Sequence, residues 1–591
     1  MARQFGKVGV VGVGVRGAGI VEVLARSGLE VIGIEQDDAS IERAQRHLEQ
    51  SLDGAVTAGV LTDEQRQESL GRISLRRGLT ELAGCDLVIE AVPEQLARKL
   101  EIFSQLDEVL DAEAVLASNT STLSVTELAA TTRRAGRVLG LRWYSAVPGA
   151  TLVEITKTVL TDPAVLTEVT AFIEGLGRSI VVVGDRPGHI VDSLLFPYLN
   201  NAIGMLEAKY ATREDIDAAM RFGCGYPIGP LALLDLIGLD AAFEILDTLH
   251  ARTGDHLHAP APMLKQLVTA GMLGVKSGRG FYSYTAPGSA EIADVGAQSG
   301  PAIELAREVT QVGVIGTGTM ASGIVEVCAK SGYDVVFRAR SDDKVAAVRK
   351  KIEGSLDKQV QRGRLTEDAR NAALSHITGS TELSDLANCD LIIEAVVEEI
   401  GVKRELFAEL DKVCKPGAVL ATTTSSLPVI ECAMATTRPE DVVGMHWFNP
   451  APAMKLVEVV PTVLTSEDVT ATVRAVSLKC RKHPVICGDR AGFIVNALLF
   501  PFLNDAVRLF ADSYASMDEI DLALKTACKH PMGPFELIDV VGMDVTLAIQ
   551  QTLHRAFREP GLVRALLLQH LATAGYLGRK SKRGFRDYSV R

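Results

Sequence analysis

His446 and Glu458 lie twelve residues apart in GMHWFNPAPAMKLVEVV. Histidine titrates near neutrality, and a carboxylate on one ring nitrogen leaves the other free to exchange a proton with a carbonyl oxygen. That is the acid–base half of a hydride transfer. The cofactor half stands upstream. Gly316-x-Gly318-x-x-Ala321 follows the apolar run QVGVI and opens a helical pattern, and Gly12-x-Gly14-x-x-Gly17 follows KVGVV in the same way. The first glycine permits a tight turn, the second lets backbone approach a pyrophosphate, and the third position packs helix on strand and tolerates alanine. The phosphates would sit on the helix N-terminus. A lone histidine is more often a satisfied structural residue, so the pair acquires meaning only from elements that bring it together beside this turn.

A carboxylate at the end of the next strand would bond the ribose of NAD. The N-terminal motif has Glu35 there. The second motif has Ala339 between Arg338 and Arg340. Loss of the carboxylate and gain of guanidinium suit a 2′-phosphate, which predicts NADP(H) at the second motif and allows NAD(H) at the first.

The elements behind these residues occur twice. KVGVVGVGVRGAGIVEVLARSG from Lys7 matches QVGVIGTGTMASGIVEVCAKSG from Gln311, an offset of 304 residues that holds without a gap through CDLVIEAVPE and CDLIIEAVVE, YPIGPLALLDLIGLD and HPMGPFELIDVVGMD, and LGVKSGRGF and LGRKSKRGF. A period this long is duplication of a whole folding unit rather than a solenoid repeat. In each copy apolar strands alternate with helices, the pattern of a parallel sheet covered on both faces, and long helical segments follow. The expected class is α/β plus all-α: a Rossmann-type domain (1–185), a helical domain (186–285), a linker (286–307), a second Rossmann-type domain (308–489) and a second helical domain (490–591). The two apolar helical domains should pair as an internal pseudo-dimer, with further homo-oligomerisation open.

Composition narrows the partners. Of 591 residues, 47% are hydrophobic and 23% charged, an ordinary globular balance. A net charge of −13 disfavours a nucleic-acid surface. No run has the length and apolarity of a membrane helix, and the apolar N-terminus reads as a strand rather than a leader because it recurs inside the chain. Nine cysteines without a C-x-x-C pair predict buried thiols in a reducing cytoplasm, with no metal site.

The chain resembles the 3-hydroxyacyl-CoA dehydrogenase family over nearly its whole length, twice, most specifically in GMHWFNPAPAMKLVEVV, GFIVNALLFPFLNDA, HPMGPFELIDVVGMD and LGRKSKRGF. The resemblance implies interconversion of (S)-3-hydroxyacyl-CoA and 3-oxoacyl-CoA with a nicotinamide cofactor. It puts the catalytic histidine on His446 and its partner on Glu458. Substrate-bonding groups fall on Asn496 and Thr422, the latter in ATTTSSL where the family has ASNTSSL. Cofactor contacts fall on Gly316, Gly318, Glu398, Lys403, Asn449 and Lys580. CoA contacts fall on Ser355 and Arg362, with Lys358 adding charge. In copy one Arg142 replaces the histidine, Asp192 the asparagine, Ser145 replaces Asn449, and Ala58 stands at the CoA basic position. Glu94, Lys99, Ser118, Glu154 and Lys276 are kept. Copy one should therefore bind a dinucleotide without performing the acid–base step, because arginine does not exchange its proton.

The expected activity is reduction of a short 3-oxoacyl-CoA such as acetoacetyl-CoA, or the reverse oxidation, at one working site in copy two. The alternatives are another 3-hydroxyacyl thioester, dicarboxylic or carrier-bound, and a non-catalytic dinucleotide-binding scaffold.

Overall fold

The computed structural model describes residues 5–144, 147, 149–294 and 300–589. The first sheet contains β1 (Lys7–Val11), β2 (Glu30–Glu35), β3 (Ile73–Arg77), β4 (Leu87–Glu90), β5 (Val115–Ser118), β6 (Val138–Trp143), β7 (Leu152–Lys157) and β8 (Ser179–Gly184). The second contains β9 (Gln311–Ile315), β10 (Asp334–Arg338), β11 (Ile377–Ser380), β12 (Leu391–Glu394), β13 (Val419–Thr422), β14 (Val442–Trp447), β15 (Leu456–Pro461) and β16 (His483–Ile486). The first sheet runs in the order β3-β2-β1-β4-β5-β6-β7-β8, and the second repeats it. The chain reverses direction across the sheet between β1 and β4, the crevice where such sheets hold dinucleotides.

One departure from an all-parallel sheet matters for function. β6 and β7 pair antiparallel, as do β14 and β15. In that register Arg142 stands opposite Glu154, and His446 opposite Glu458. A spacing of twelve residues thus becomes a direct cross-strand pair, whose side chains share one face.

The helical parts begin with Val191–Glu207 and Val495–Ala511, which are buried along almost their whole lengths. These two helices pack against each other across the copies. Matching residues meet: Tyr226 stacks on its counterpart His530 at 3.7 Å and 3°, and Tyr198 approaches its counterpart Phe502 at 5.9 Å. Two equivalent hydrogen bonds cross as well, from the Tyr210 hydroxyl to the Gly488 carbonyl (2.7 Å) and from Tyr514 to Gly184 (2.9 Å). Each copy also lends a helix to the other's sheet. Arg213–Cys224 lies on β15 and β16, and Met517–Ala527 on β7 and β8. A side chain added to Gly223 would run into Leu456 and Val495 beside the copy-two centre.

The tail motifs are structural. Asp539 accepts hydrogen bonds from the Phe585 and Arg586 amides and the Tyr588 hydroxyl, folding the KSKRGF loop back onto its domain, and Asp235 does the same for copy one. The end of the interdomain segment is docked rather than free: Arg307 pairs with Asp441 at 2.7 Å and Asp468 at 2.8 Å. Among the described residues no helix is long and apolar enough to cross a membrane.

Candidate active site

In copy two the imidazole of His446 is almost enclosed, between Phe448 at 4.5 Å and Phe493 at 5.6 Å. Its Nδ1 lies 2.6 Å from Glu458 Oε2. The other oxygen, Oε1, accepts from the Ile494 and Val495 amides at 3.0 and 2.9 Å, so the start of a helix fixes the carboxylate. A carboxylate held this way orients the ring with Nδ1–H donating and Nε2 turned to a reactant. One residue further on, Asn496 Nδ2 donates to the Ser425 carbonyl at 3.2 Å.

Thr422 lies at the inner end of the site. Its hydroxyl, fully buried at the end of β13, donates to Glu394 Oε2 at 2.7 Å. The hydroxyl beside Asn496 belongs to Ser425, three residues later. Ser425 is partly exposed, and its amide and Oγ both donate to Glu398 Oε1 at 2.9 and 3.2 Å. A strand end buries one hydroxyl of the run TTTSS and the turn after it presents another. Lys403 also differs from a direct cofactor contact. It is 1% exposed, with Nζ at 2.8 Å from Glu394 and 3.5 Å from Glu398, so it positions the latter. Lys99 does the same for Glu90 and Glu94 at 2.7 and 3.6 Å. Burial alone would raise the Glu398 carboxyl, but Lys403 and the Thr424 and Ser425 donors hold it below the usual range.

The Gly-rich turns fit a dinucleotide. Gly316 has φ +138, and a Cβ there would sit 2.4 Å from the Ala395 carbonyl, while one on Gly318 would meet nothing within 4 Å. Gly318 therefore leaves backbone open to a pyrophosphate at the start of helix Thr319–Lys330, and Ala321 packs beneath it, fully buried. In copy one Gly12 has φ +87, Gly14 is equally open, and a Cβ on Gly17 would fall 1.9 Å from the Gly12 carbonyl. Glu35 Oε1 accepts from the Val13 amide at 2.6 Å, which sets its carboxylate at the rim of that turn.

Ala339 is buried just after β10. Arg338 is engaged by the Thr381 carbonyl at 3.2 Å, whereas Arg340 is exposed and makes no ion pair among the described residues. Of the two, Arg340 is the cation available to a 2′-phosphate. Lys358 and Arg362 are exposed at the C-terminal end of helix Asp342–Gln361, with Ser355 one turn back and partly buried. Asn449 is exposed just beyond β14, and Lys580 pairs with Asp544 at 2.5 Å. Ser145, the counterpart of Asn449, lies outside the described residues.

A model of the 3-hydroxyacyl-CoA dehydrogenase NAD binding domain matches residues 7–186 and again 311–490, and one of the C-terminal domain matches 188–284 and 492–588. The chain belongs to the 3-hydroxyacyl-CoA dehydrogenase family. It is a tandem duplication of the family unit and an NAD(H)-using oxidoreductase. It is 43% identical over 279 residues to a 3-hydroxybutyryl-CoA dehydrogenase of Clostridioides difficile, covering 47% of this chain and 99% of that one. It is 40% identical over 288 residues to the human mitochondrial hydroxyacyl-coenzyme A dehydrogenase, covering 47% and 91%. The crystal structure of an Escherichia coli K12 3-hydroxybutyryl-CoA dehydrogenase shares the fold over 97% of this dehydrogenase and all of its own length, with a TM-score of 0.66 and 24% identity.

Copy one of the dehydrogenase has rebuilt the same position. Arg142 is buried, with Nη2 and Nε at 3.1 and 3.2 Å from Asp192. Glu154 keeps its anchor on the Ile190 and Val191 amides but accepts from the Tyr144 hydroxyl at 2.5 Å instead of from an imidazole. His189, the counterpart of Phe493, brings an imidazole near, 4.0 Å from Glu154. Burial lowers it to about 4, so it stands neutral and sealed from reactants.

Burial also pushes Glu154 up from 4.5 to about 7, with the Asp192 charge adding to the rise and the Tyr144 hydroxyl and two amides opposing it. The folded chain therefore keeps a proton between these values that the unfolded chain releases. This contribution is complete below about 4.5 and is lost as pH rises through 7. The stability of the unmodified protein relative to Glu154→Gln should accordingly fall from pH 5 to pH 8, by up to roughly 3 kcal/mol. Thermal unfolding of both proteins at the two pH values checks this. An unchanged difference in Tm would contradict it.

Proposed function

We propose that the dehydrogenase interconverts 3-oxoacyl-CoA and (S)-3-hydroxyacyl-CoA of short chain length, acetoacetyl-CoA being the type substrate, at a single working site in copy two. The observation that carries the reading is the contact of His446 with Glu458 in copy two, set against the Arg142–Asp192 ion pair in its place in copy one. Bound nicotinamide cofactor supplies or accepts the hydride at C3. His446 Nε2 gives the proton to the 3-oxo oxygen in reduction and takes it back in oxidation. Glu458 stabilises the imidazolium form and keeps the ring aimed. Asn496 and Ser425 hydrogen-bond the substrate's carbonyl oxygens, and Glu398, held by Lys403, borders the cofactor. Lys358 and Arg362 face the phosphates of CoA, with Ser355 beside them.

The same reading divides the chain at 1–185, 186–285, 308–489 and 490–591 and makes the helical domains an in-chain counterpart of a dimer. The stacked Tyr226–His530 pair and the two matching tyrosine bonds support that pairing. Copy two prefers NADP(H), because Arg340 replaces electrostatic repulsion with an available guanidinium. Such a charge-assisted contact is worth about 1.5–3 kcal/mol, about ten-fold or more in affinity. Initial rates over a panel of acyl-CoA chain lengths, with NADH and NADPH, test the whole reading. Arg340→Ala should erase about a ten-fold NADPH preference. A clear NADH preference untouched by that change would refute the cofactor assignment.

A further inference from the structure

The Gly-rich crevice of copy one is a cleft of about 690 Å3 bordered by Gly12, Gly14, Arg16, Glu35, Glu94 and Lys276. Its adenosine end is complete. Glu35 sits at the rim with Oε2 free of any hydrogen bond among the described residues, the open Gly14 lies beside it, and helix Val15–Arg26 starts there. The segment matches an NAD binding domain model, so the crevice type is a nucleotide crevice.

The other end has changed. Glu94 and Glu398 are counterparts and accept from matching donors, yet the Glu94 side chain is 5% exposed and that of Glu398 is 40% exposed. Arg16 stands where copy two has Met320, inside the glycine motif itself. Its guanidinium feels Arg142, Asp192, Glu94 and Glu244, which places it between the phosphate turn and the former catalytic centre. Glu244 is likewise new, replacing Ala548. Arg16 is partly buried and makes no hydrogen bond or ion pair among the described residues. The guanidinium has Asp192, Glu94 and Glu244 near enough to act on it but no ion-pair contact among the described residues, and the adjoining turn is built to hold an anion.

We propose that copy one binds an adenine nucleotide carrying a diphosphate, ADP or ADP-ribose, and rejects the nicotinamide end of a dinucleotide. Glu35 takes the ribose hydroxyls. The turn at Gly12 and Gly14, together with Arg16, takes the diphosphate. Arg16 and the enclosed Glu94 narrow the end of the crevice in which a nicotinamide ring would lie. The inference concerns copy one alone and does not depend on the cofactor preference of copy two.

Isothermal titration calorimetry of the full chain tests it. ADP-ribose should bind at two equivalents per chain and NADH at no more than one. Glu35→Ala should remove one ADP-ribose equivalent and leave the other. Arg16→Met should weaken that same equivalent about ten-fold. A single ADP-ribose equivalent abolished by Glu35→Ala would still support the copy-one site, because ADP-ribose lacks the 2′-phosphate that copy two prefers. A single equivalent indifferent to Glu35→Ala, two NADH equivalents in the unmodified chain, or unaltered ADP-ribose affinity in Arg16→Met would overturn the proposal.

Discussion

Replacing His446 by Gln should lower kcat for acetoacetyl-CoA reduction by about 10²–10⁴-fold, the usual worth of a positioned general acid–base. Glutamine can still donate to Glu458 and fill the space between Phe448 and Phe493, so the fold and the thermal transitions should be preserved. What is lost is the proton at Nε2. Among the described residues no second group is poised to replace it: Lys403 is committed to Glu394 and Glu398, and Glu458 to two backbone amides and the imidazole. Absorbance at the nicotinamide band, read beside a thermal melt, separates a chemical defect from a folding one. A loss of Tm accompanying the loss of rate would mean that His446 is structural.

Arg142→Gln should show the opposite profile. Asp192 is 1% exposed and its ion pair is with Arg142. Removing one side of a buried pair costs about 3–5 kcal/mol, since a charge is left without its counter-ion. The first thermal transition should move down accordingly, while turnover per folded molecule stays near that of the unmodified enzyme. Arg142→Gln combined with Asp192→Asn should recover much of the loss, because replacing both partners leaves no stranded charge. A single variant with unchanged stability would show that the Arg142–Asp192 contact is incidental.

How much of this was legible in the sequence varies with the kind of fact. The duplication and the strand, glycine turn and helix that open each copy follow from spacing and residue type, whereas the acid–base pair rests on the family resemblance. The twelve-residue gap between His446 and Glu458 has a reason the sequence does not display: the reversal of β15 against β14 that puts them face to face. Strand patterns announce extended segments and leave their direction unstated, so a parallel sheet is the natural expectation and the antiparallel pair is missed. A run of five hydroxyl residues looks uniform until the strand end decides which are buried. Lys403 looks like a cofactor ligand by position, and only its burial against Glu394 shows that it supports one. Arg16 sits at a position of the glycine motif that the motif leaves free, so its type attracts no notice until its neighbours are known. The loan of helix Arg213–Cys224 to the copy-two sheet is a relation between distant segments, and no local pattern encodes it. That loan would give a copy without turnover a physical reason to persist, because its helix packs beside the copy-two centre.

The central claim is that only copy two performs the reaction. Its most direct test is the initial rate of acetoacetyl-CoA reduction by His446→Gln, compared with that of His446→Gln combined with Arg142→Gln, using both NADH and NADPH. The account predicts that the single change already brings the rate to its floor and that the second change lowers it no further per folded molecule. Substantial activity in His446→Gln that disappears only when Arg142 is also replaced would make copy one a second working site and contradict the account.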